Sequence, residues 1–426
     1  MTTMVVILLE WIQALLHERI EQETREPVFR IPVLEYGSIG LVLPHPTFWK
    51  QMVVILSILT AINAFTAVTV YYMIVLQRGS ASSYLVGYGL IFPMLLYVPL
   101  RAALFLGVHN TAQVCERRPM CTGFGSSRKV IGISASLTVV VFRCMMAIHN
   151  TLPPLVDRDV WSFVSYYVSP LQFQLDTTTG KVIPSSPEKF SQYARTTLMS
   201  LLFLGVFLGL MIHVNFELVP RQPVQTVWDL FQWQNIVNNY AMGYLMGRCL
   251  DAGTLAVGVL LEGASGKSVI LVSNNPLTQS TSPSDFWGRR WNELVHIVLK
   301  TGGVYIPMRK NGFSRGMAGL ATFAVSGLFH EYILVALTMI DGPTYGNHLN
   351  FFLWNAVVII LENLLSNHPV IQWTSKNLPR PIITALVLLT ALPISHWFTD
   401  EYLEIGFFHD FSVGFPFLAW YPSKAQ

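Results

Sequence analysis

Apolar residues in this chain come in long runs that contain no Asp, Glu, Lys or Arg. The clearest are Gln51–Gln77, Gly79–Leu100, Thr196–Phe216, Gly342–Leu361 and Pro381–Thr399. A hydrocarbon core of about 30 Å takes about 20 residues of helix to cross. A single run of that kind fits a buried core helix, but five in one chain predict a polytopic membrane protein. The pattern predicts spans over Gln51–Gln77, Ala81–Leu100, Thr197–Phe216, Met317–Ile340, Leu349–Leu365 and Pro381–Phe398. Val130–His149, with Arg143, and Asn235–Leu261, with Arg248 and Asp251, add two that carry charge. Val160–Leu175 and Leu403–Trp420 are fainter. The expected fold is an all-α polytopic membrane protein with about seven to ten transmembrane helices.

The N-terminus has a different pattern. In Met4–Leu16 the residues Val5, Leu8, Leu9, Ile12, Leu15 and Leu16 share one helical face, and Glu10, Gln13, His17 and Glu21 share the other. That separation predicts an amphipathic helix lying at the membrane interface. Glu10 interrupts the apolar stretch, and neither a basic n-region nor a small-residue cleavage site flanks it, so a signal peptide is not indicated. A charged segment, Glu18–His45, follows. The chain therefore divides into an interfacial segment and linker, residues 1–49, and an integral membrane domain, residues 50–426.

Composition agrees with this division. Of 426 residues 52% are apolar and 12% charged, with mean hydropathy +0.47. Soluble domains carry about 25% charged residues. The net charge of +3 is near neutral, and no basic stripe with interleaved aromatics points to nucleic acid. Cys115, Cys121, Cys144 and Cys249 show no paired metal spacing and suggest no disulfide framework. Two loops are basic, one with Arg117, Arg118, Arg128 and Lys129, the other with Arg289, Arg290, Lys300, Arg309, Lys310 and Arg315. If both face the cytoplasm, an even number of spans separates them. Val130–His149, Thr197–Phe216 and Asn235–Leu261 make three, so either Val160–Leu175 crosses as well, which is the favoured expectation, or one of the others is re-entrant or doubled.

One apolar run contains an ionisable residue in a telling place. Met317–Ile340 holds Ser326-Gly327-Leu328-Phe329-His330-Glu331, and side chains of that kind at membrane depth are costly and usually functional. An intramembrane histidine can also simply bond a neighbouring helix. Gly319, Thr322, Ser326, Gly327 and His330 recur at spacings of three and four, which admits a close helix neighbour or a channel beside the imidazole. His330-Glu331-Tyr332-Ile333-Leu334 lacks the second His of a zinc H-E-x-x-H site, and Ala324 and Leu328 flank Ser326 where a serine-hydrolase elbow needs glycines. Gly263–Ser268 resembles a phosphate loop, but Leu261 replaces its first glycine. A flexible loop after a span is expected there.

The second basic loop carries Asp285-Phe286-Trp287-Gly288-Arg289-Arg290-Trp291-Asn292, preceded by a helix-start signal at Ser282-Pro283-Ser284. Helical periodicity would put Trp287, Trp291, Leu294, Val295 and Val298 on an apolar stripe. Arg289, Asn292, Glu293, His296 and Lys300 would then line a polar face. An interfacial helix with Trp at headgroup depth is one reading, and the mouth of a site is the other.

An asparagine in a Trp/Arg-rich block, followed 38 residues later by a histidine in an apolar helix, resembles the membrane-bound O-acyltransferase family in its wax-synthase-like branch. Within that branch the chain resembles fungal enzymes that acetylate terpenoid and meroterpenoid hydroxyls. The resemblance implies helices around an intramembrane reaction chamber, with His330 as general base and Asn292 orienting the acceptor or stabilising an oxyanion. It implies an acyl-CoA co-substrate (acetyl-CoA in that branch), a hydrophobic alcohol as acceptor, no metal, and an endoplasmic-reticulum membrane. Arg289, Arg290 and Lys300 are candidates for CoA phosphates, with Trp291, Ser326 and Arg143 as further lining residues. Long-chain-alcohol or sterol esterification is the alternative within the same chemistry, and a transporter with His330 and Arg143 on its path is the alternative outside it.

Overall fold

The computed structural model describes residues 26–33, 37–105, 140–176, 178–336 and 345–422. The N-terminal amphipathic segment, the first basic loop and most of the Val130–His149 run lie outside these residues; of that run, residues 140–148 are helical. Among the described residues, six helices are long and apolar enough to cross a membrane. They are α1 (Pro46–Val75), α2 (Ala81–Arg101), α4 (Pro187–His213), α5 (Trp233–Ser265), α7 (Arg315–Leu334) and α8 (Asn347–Leu365). After α9 (Pro369–Asn377), a bent pair, α10 (Arg380–Ile394) and α11 (His396–Glu404) with 58° between them, raises the number to seven if it counts as one span.

Local signals set the helix ends. Pro46 and Pro187 stand at first-turn positions, where a missing N–H costs nothing. Ser80 and Ser186 accept backbone N–H groups from Ser83 and Lys189 as N-caps. At the far end of α5, Gly266 takes φ 64° and closes the helix onto the Glu262 carbonyl. Backbone bridges from Lys267 to Pro184 and from Val269 to Phe173 then hold the phosphate-loop-like stretch, so it is a pinned cap rather than the loose loop expected.

Two expected crossings are absent as such. Val160–Leu175 holds only α3 (Val160–Val168), which at about 1.5 Å per residue reaches half of a hydrocarbon core. Ser169 and Pro170 end it, and its inner face (Phe163, Tyr167) packs on Ala67, Val70 and Ile74 of α1. It therefore does not supply the fourth crossing that the charge argument asked for. Leu403–Trp420 begins within α11 (His396–Glu404), passes through α12 (Phe407–Gly414) and ends in a strand. Gly406 at φ 75° breaks the two helices apart.

That strand, β3 (Phe417–Pro422), completes a sheet with β1 (Phe29–Val33) and β2 (Gly37–Val42), all antiparallel in the order β1-β2-β3. The sheet adds to the all-α expectation. It rests on α4 because Gly205 and Gly209, one turn apart, present bare backbone: a Cβ at Gly209 would stand 1.8 Å from the Leu418 carbonyl oxygen. The pair α7–α8 uses the same device. A Cβ at Gly327 would lie 2.8 Å from the Leu349 Cα, so the glycine one position past Ser326 brings α8 directly beside His330.

Candidate active site

His330 sits on the last turn of the regular part of α7, before a wider turn at Tyr332–Ala336. Its Nδ1 lies 2.7 Å from the Ser326 carbonyl oxygen, one helical turn back. A carbonyl only accepts, so Nδ1 carries the proton and Nε2 keeps its lone pair. Ser326, itself buried, contributes this carbonyl. The ring is half-buried among aromatics, with Phe352 at 4.7 Å and Phe398 at 5.4 Å between centroids.

A second histidine completes this box. His348, fully buried on α8, stands 6.1 Å from the His330 ring. Its Nε2–H donates to the Phe398 carbonyl at 3.2 Å, and its Nδ1 lies 3.0 Å from Glu401 Oε2 on α11. That is an ion-pair contact without hydrogen-bond geometry between the two groups. Glu331, next to His330, accepts the Leu349 N–H at 3.1 Å. Helices α7, α8 and α11 thus meet at His330 through polar contacts within an apolar surround. Neither His348 nor Glu401 is in the expected set. His348 lies in Gly342–Leu361, a run chosen for lacking Asp, Glu, Lys and Arg, and the test that singled out His330 also fits it.

Asn292 is reached by a different construction. The single amphipathic helix expected from Trp287 to Lys300 is broken. A short turn, Pro283–Asp285, widens into Phe286–Arg290 and stops; α6 (Glu293–Ile297) starts anew after Asn292 at φ −151°. Asn292 is the N-cap of α6, its Oδ1 accepting the Val295 N–H at 3.1 Å. That use of the oxygen leaves the amide NH2 as the end that can be offered to a ligand. The break is tied from outside: Glu293 N–H bonds the Val272 carbonyl at 2.7 Å and Asn274 N–H bonds the Arg290 carbonyl at 2.8 Å. The continuous polar face therefore does not exist. The His296 ring instead lies over Gly288, and burial, then the Lys300 charge, push its pKa down to about 4.

Asp285 anchors the block. Its carboxylate takes Arg289 Nε at 3.0 Å, Arg290 Nε at 2.7 Å and the Thr281 N–H at 3.0 Å. Burial acts to raise its pKa, but Arg290 and Thr281 outweigh that and hold the carboxyl below its usual range. Arg290 further binds the Asn274 carbonyl, so it is a staple with little left to offer a phosphate. Arg289 is largely exposed and Lys300 is exposed at the end of the next turn. Trp291 stacks on Phe286 at 5.5 Å. Trp287 links the two halves of the site: its indole N–H donates to Asn355 at 3.0 Å, and its ring meets Phe323 and Phe352 at 6.0 Å. Val295 and Val298 pack in one cluster with Val325 and Phe329, the residue before His330.

Arg143 belongs elsewhere. It is fully buried, lies over the Tyr166 ring, and gives Nη1 to the carbonyls of Tyr166, Tyr167 and Ser169, capping the C-terminal end of α3. It therefore does not line the site around His330, and Asp251 of α5 pairs with Arg248 at 2.5 Å.

Comparison with known proteins follows this geometry. Residues 272–354, which contain Asn292, His330 and His348, match the model of the Membrane bound O-acyl transferase family. The chain is 42% identical over 106 residues, 23% of its length, to the Arabidopsis thaliana "Probable long-chain-alcohol O-fatty-acyltransferase 9", covering 30% of that protein. To "Probable long-chain-alcohol O-fatty-acyltransferase 1" it is 25% identical over 252 residues, 57% of the chain and 64% of the relative. To "Acyl-CoA--sterol O-acyltransferase 1" it is 30% identical over 146 residues, 30% of the chain and 41% of the relative. The aligned stretch spans less than two thirds of each of these relatives. The segment that carries Asn292, His330 and His348 is thus the part of this multi-pass chain that matches the membrane-bound O-acyltransferase family.

Proposed function

We propose that the protein is a membrane-bound O-acyltransferase that moves an acyl group from acyl-CoA to the hydroxyl of a hydrophobic alcohol. The observation that carries this reading is the His330 imidazole, proton on Nδ1 and lone pair on Nε2, boxed by Phe352 and Phe398 in an apolar helix. Nε2 takes the proton from the acceptor hydroxyl as its oxygen attacks the thioester carbonyl carbon. The new C–O bond leaves an oxyanion, to which the Asn292 NH2 donates. The oxyanion collapses, the C–S bond breaks, and the imidazolium returns its proton to the CoA sulfur. Arg289 and Lys300, both exposed, are proposed to meet the CoA phosphates.

For the substrates, the names of the relatives favour a fatty acyl donor and a long-chain alcohol or sterol acceptor. The acetyl donor and terpenoid acceptor expected from the sequence find no support among them. The test is an assay in endoplasmic-reticulum membranes with acetyl-CoA and palmitoyl-CoA, each against long-chain alcohols, sterols and terpenoid alcohols. Ester formation from palmitoyl-CoA is expected. Ester formation from acetyl-CoA alone would reverse the donor assignment, and consumption of neither donor would overturn the enzymatic reading.

A further inference from the structure

The connection between α4 and α5 turns its large apolar side chains outward. Within ten residues, Trp228 is 81% exposed, Val227 71%, Trp233 63%, Phe231 55% and Val224 50%. Single exposed apolar side chains need no explanation, but five on one short connection form a patch.

Hydrogen bonds hold the connection along its length. Asp229 caps the 3-10 turn Val227–Phe231, accepting the Thr226 N–H at 2.7 Å, the Gln225 N–H at 3.1 Å and the Gln232 amide at 2.9 Å. From α5, Asn235 donates to the carbonyls of Asp229 and Gln222, and Asn238 binds the backbone of Leu218 and Val219. Arg221 pairs with Asp400 of α11 at 3.2 Å. The charged groups here, Glu217, Arg221 and Asp229, are each engaged within the protein, while Gln222, Gln225 and Thr226 share the exposed surface with the apolar side chains.

We propose that Val224–Trp233 is a preformed wedge that inserts into the headgroup–acyl boundary of the bilayer on the side where α4 and α5 emerge. The occupant is lipid because of where the patch stands. The connection leaves one membrane-length helix and enters another, and Trp233 is the first residue of α5. Trp and Phe at that depth bury apolar area while the indole N–H stays at the polar layer.

The test places an environment-sensitive fluorophore on Val227→Cys, and separately on Phe231→Cys, in the full chain reconstituted in phosphatidylcholine vesicles. Cys115 and Cys121 are changed to Ser, while Cys144 and Cys249 are buried. Elution as a single sharp peak in gel filtration qualifies each variant. The expected result is a blue-shifted emission, quenched by lipid carrying a nitroxide near the headgroup more than by one carrying it at the chain end, and unaffected by aqueous iodide. Quenching by iodide without quenching by lipid would overturn the proposal, since the patch would then face water. Protection from both quenchers would also overturn it, because a protein surface would then cover the patch. None of these readouts depends on the reaction catalysed.

Discussion

His330 and Asn292 are held in place by opposite means. The imidazole is oriented by its own helix, through a carbonyl four residues back, and an apolar box closes around it. The amide is oriented by the ending of a helix. The chain stops at Arg290, restarts at Glu293, and the break is held by Val272, Asn274 and the Asp285–Arg290 pair. A group placed by local contacts depends on few neighbours. One placed at a break depends on every long-range bond that keeps the break open, so distant changes should reach Asn292 more readily than His330.

The most direct way to break the comparison is His330→Ala. A positioned general base contributes about 10²–10⁴-fold, so turnover should fall by that factor with thermal stability nearly unchanged. Full turnover in this variant would remove His330 from the mechanism. Asn292→Asp is more discriminating than alanine, because aspartate caps a helix as well as asparagine does while losing the amide donor. Turnover is expected to fall about 10²–10³-fold with the melting temperature retained. If Asp restores turnover where Ala does not, the cap alone is what the site needs.

The buried His348–Glu401 pair tests the local side of the comparison. Glu401→Ala leaves a fully buried imidazole without its partner, and removing one member of a buried pair costs about 3–5 kcal/mol. Glu401→Gln can still offer an amide N–H to Nδ1 and should keep most of that stability. Thermal denaturation in detergent micelles measures both. Equal losses in the two variants would show that the carboxyl group itself, rather than any polar partner for Nδ1, holds α8 and α11 around His330.

What could be read in advance divides along the same line. The helices α1, α2, α4, α5, α7 and α8 were legible because crossing a membrane requires length and apolarity, and both are local properties of the chain. His330 was legible for the same reason, as an exception within such a run. His348 meets that criterion equally, as a second ionisable side chain within an apolar run. The break at Asn292 was not legible: its periodicity fits a continuous helix, and what overrides it is pairing with Val272 and Asn274, some twenty residues away. The crossing expected at Val160–Leu175 failed because apolar composition does not separate a short packed helix, capped by Arg143, from a span.

The mildest test concerns the anchor itself. Asp285 is 4% exposed and its carboxyl is held below the usual carboxylate range by Arg290 and Thr281, against the opposing effect of burial. A carboxyl depressed in the folded state adds stability that is fully present above its unfolded pKa, near 4. That contribution is lost as pH falls through the lower folded value. The wild-type protein should therefore lose stability in this acidic window, and Asp285→Asn, which has no proton to gain, should lose less. At neutral pH the variant should be less stable by about 1.5–3 kcal/mol, the usual worth of a hydrogen bond to a charged group. Because the change acts on the break, it should lower turnover through Asn292. Asp285→Asn combined with Asn292→Asp should then cost less than the two separate losses multiplied together. Simple multiplication of the two losses would mean that Asp285 holds the fold of the block without setting the position of Asn292, and the contrast between the two halves of the site would lose its basis.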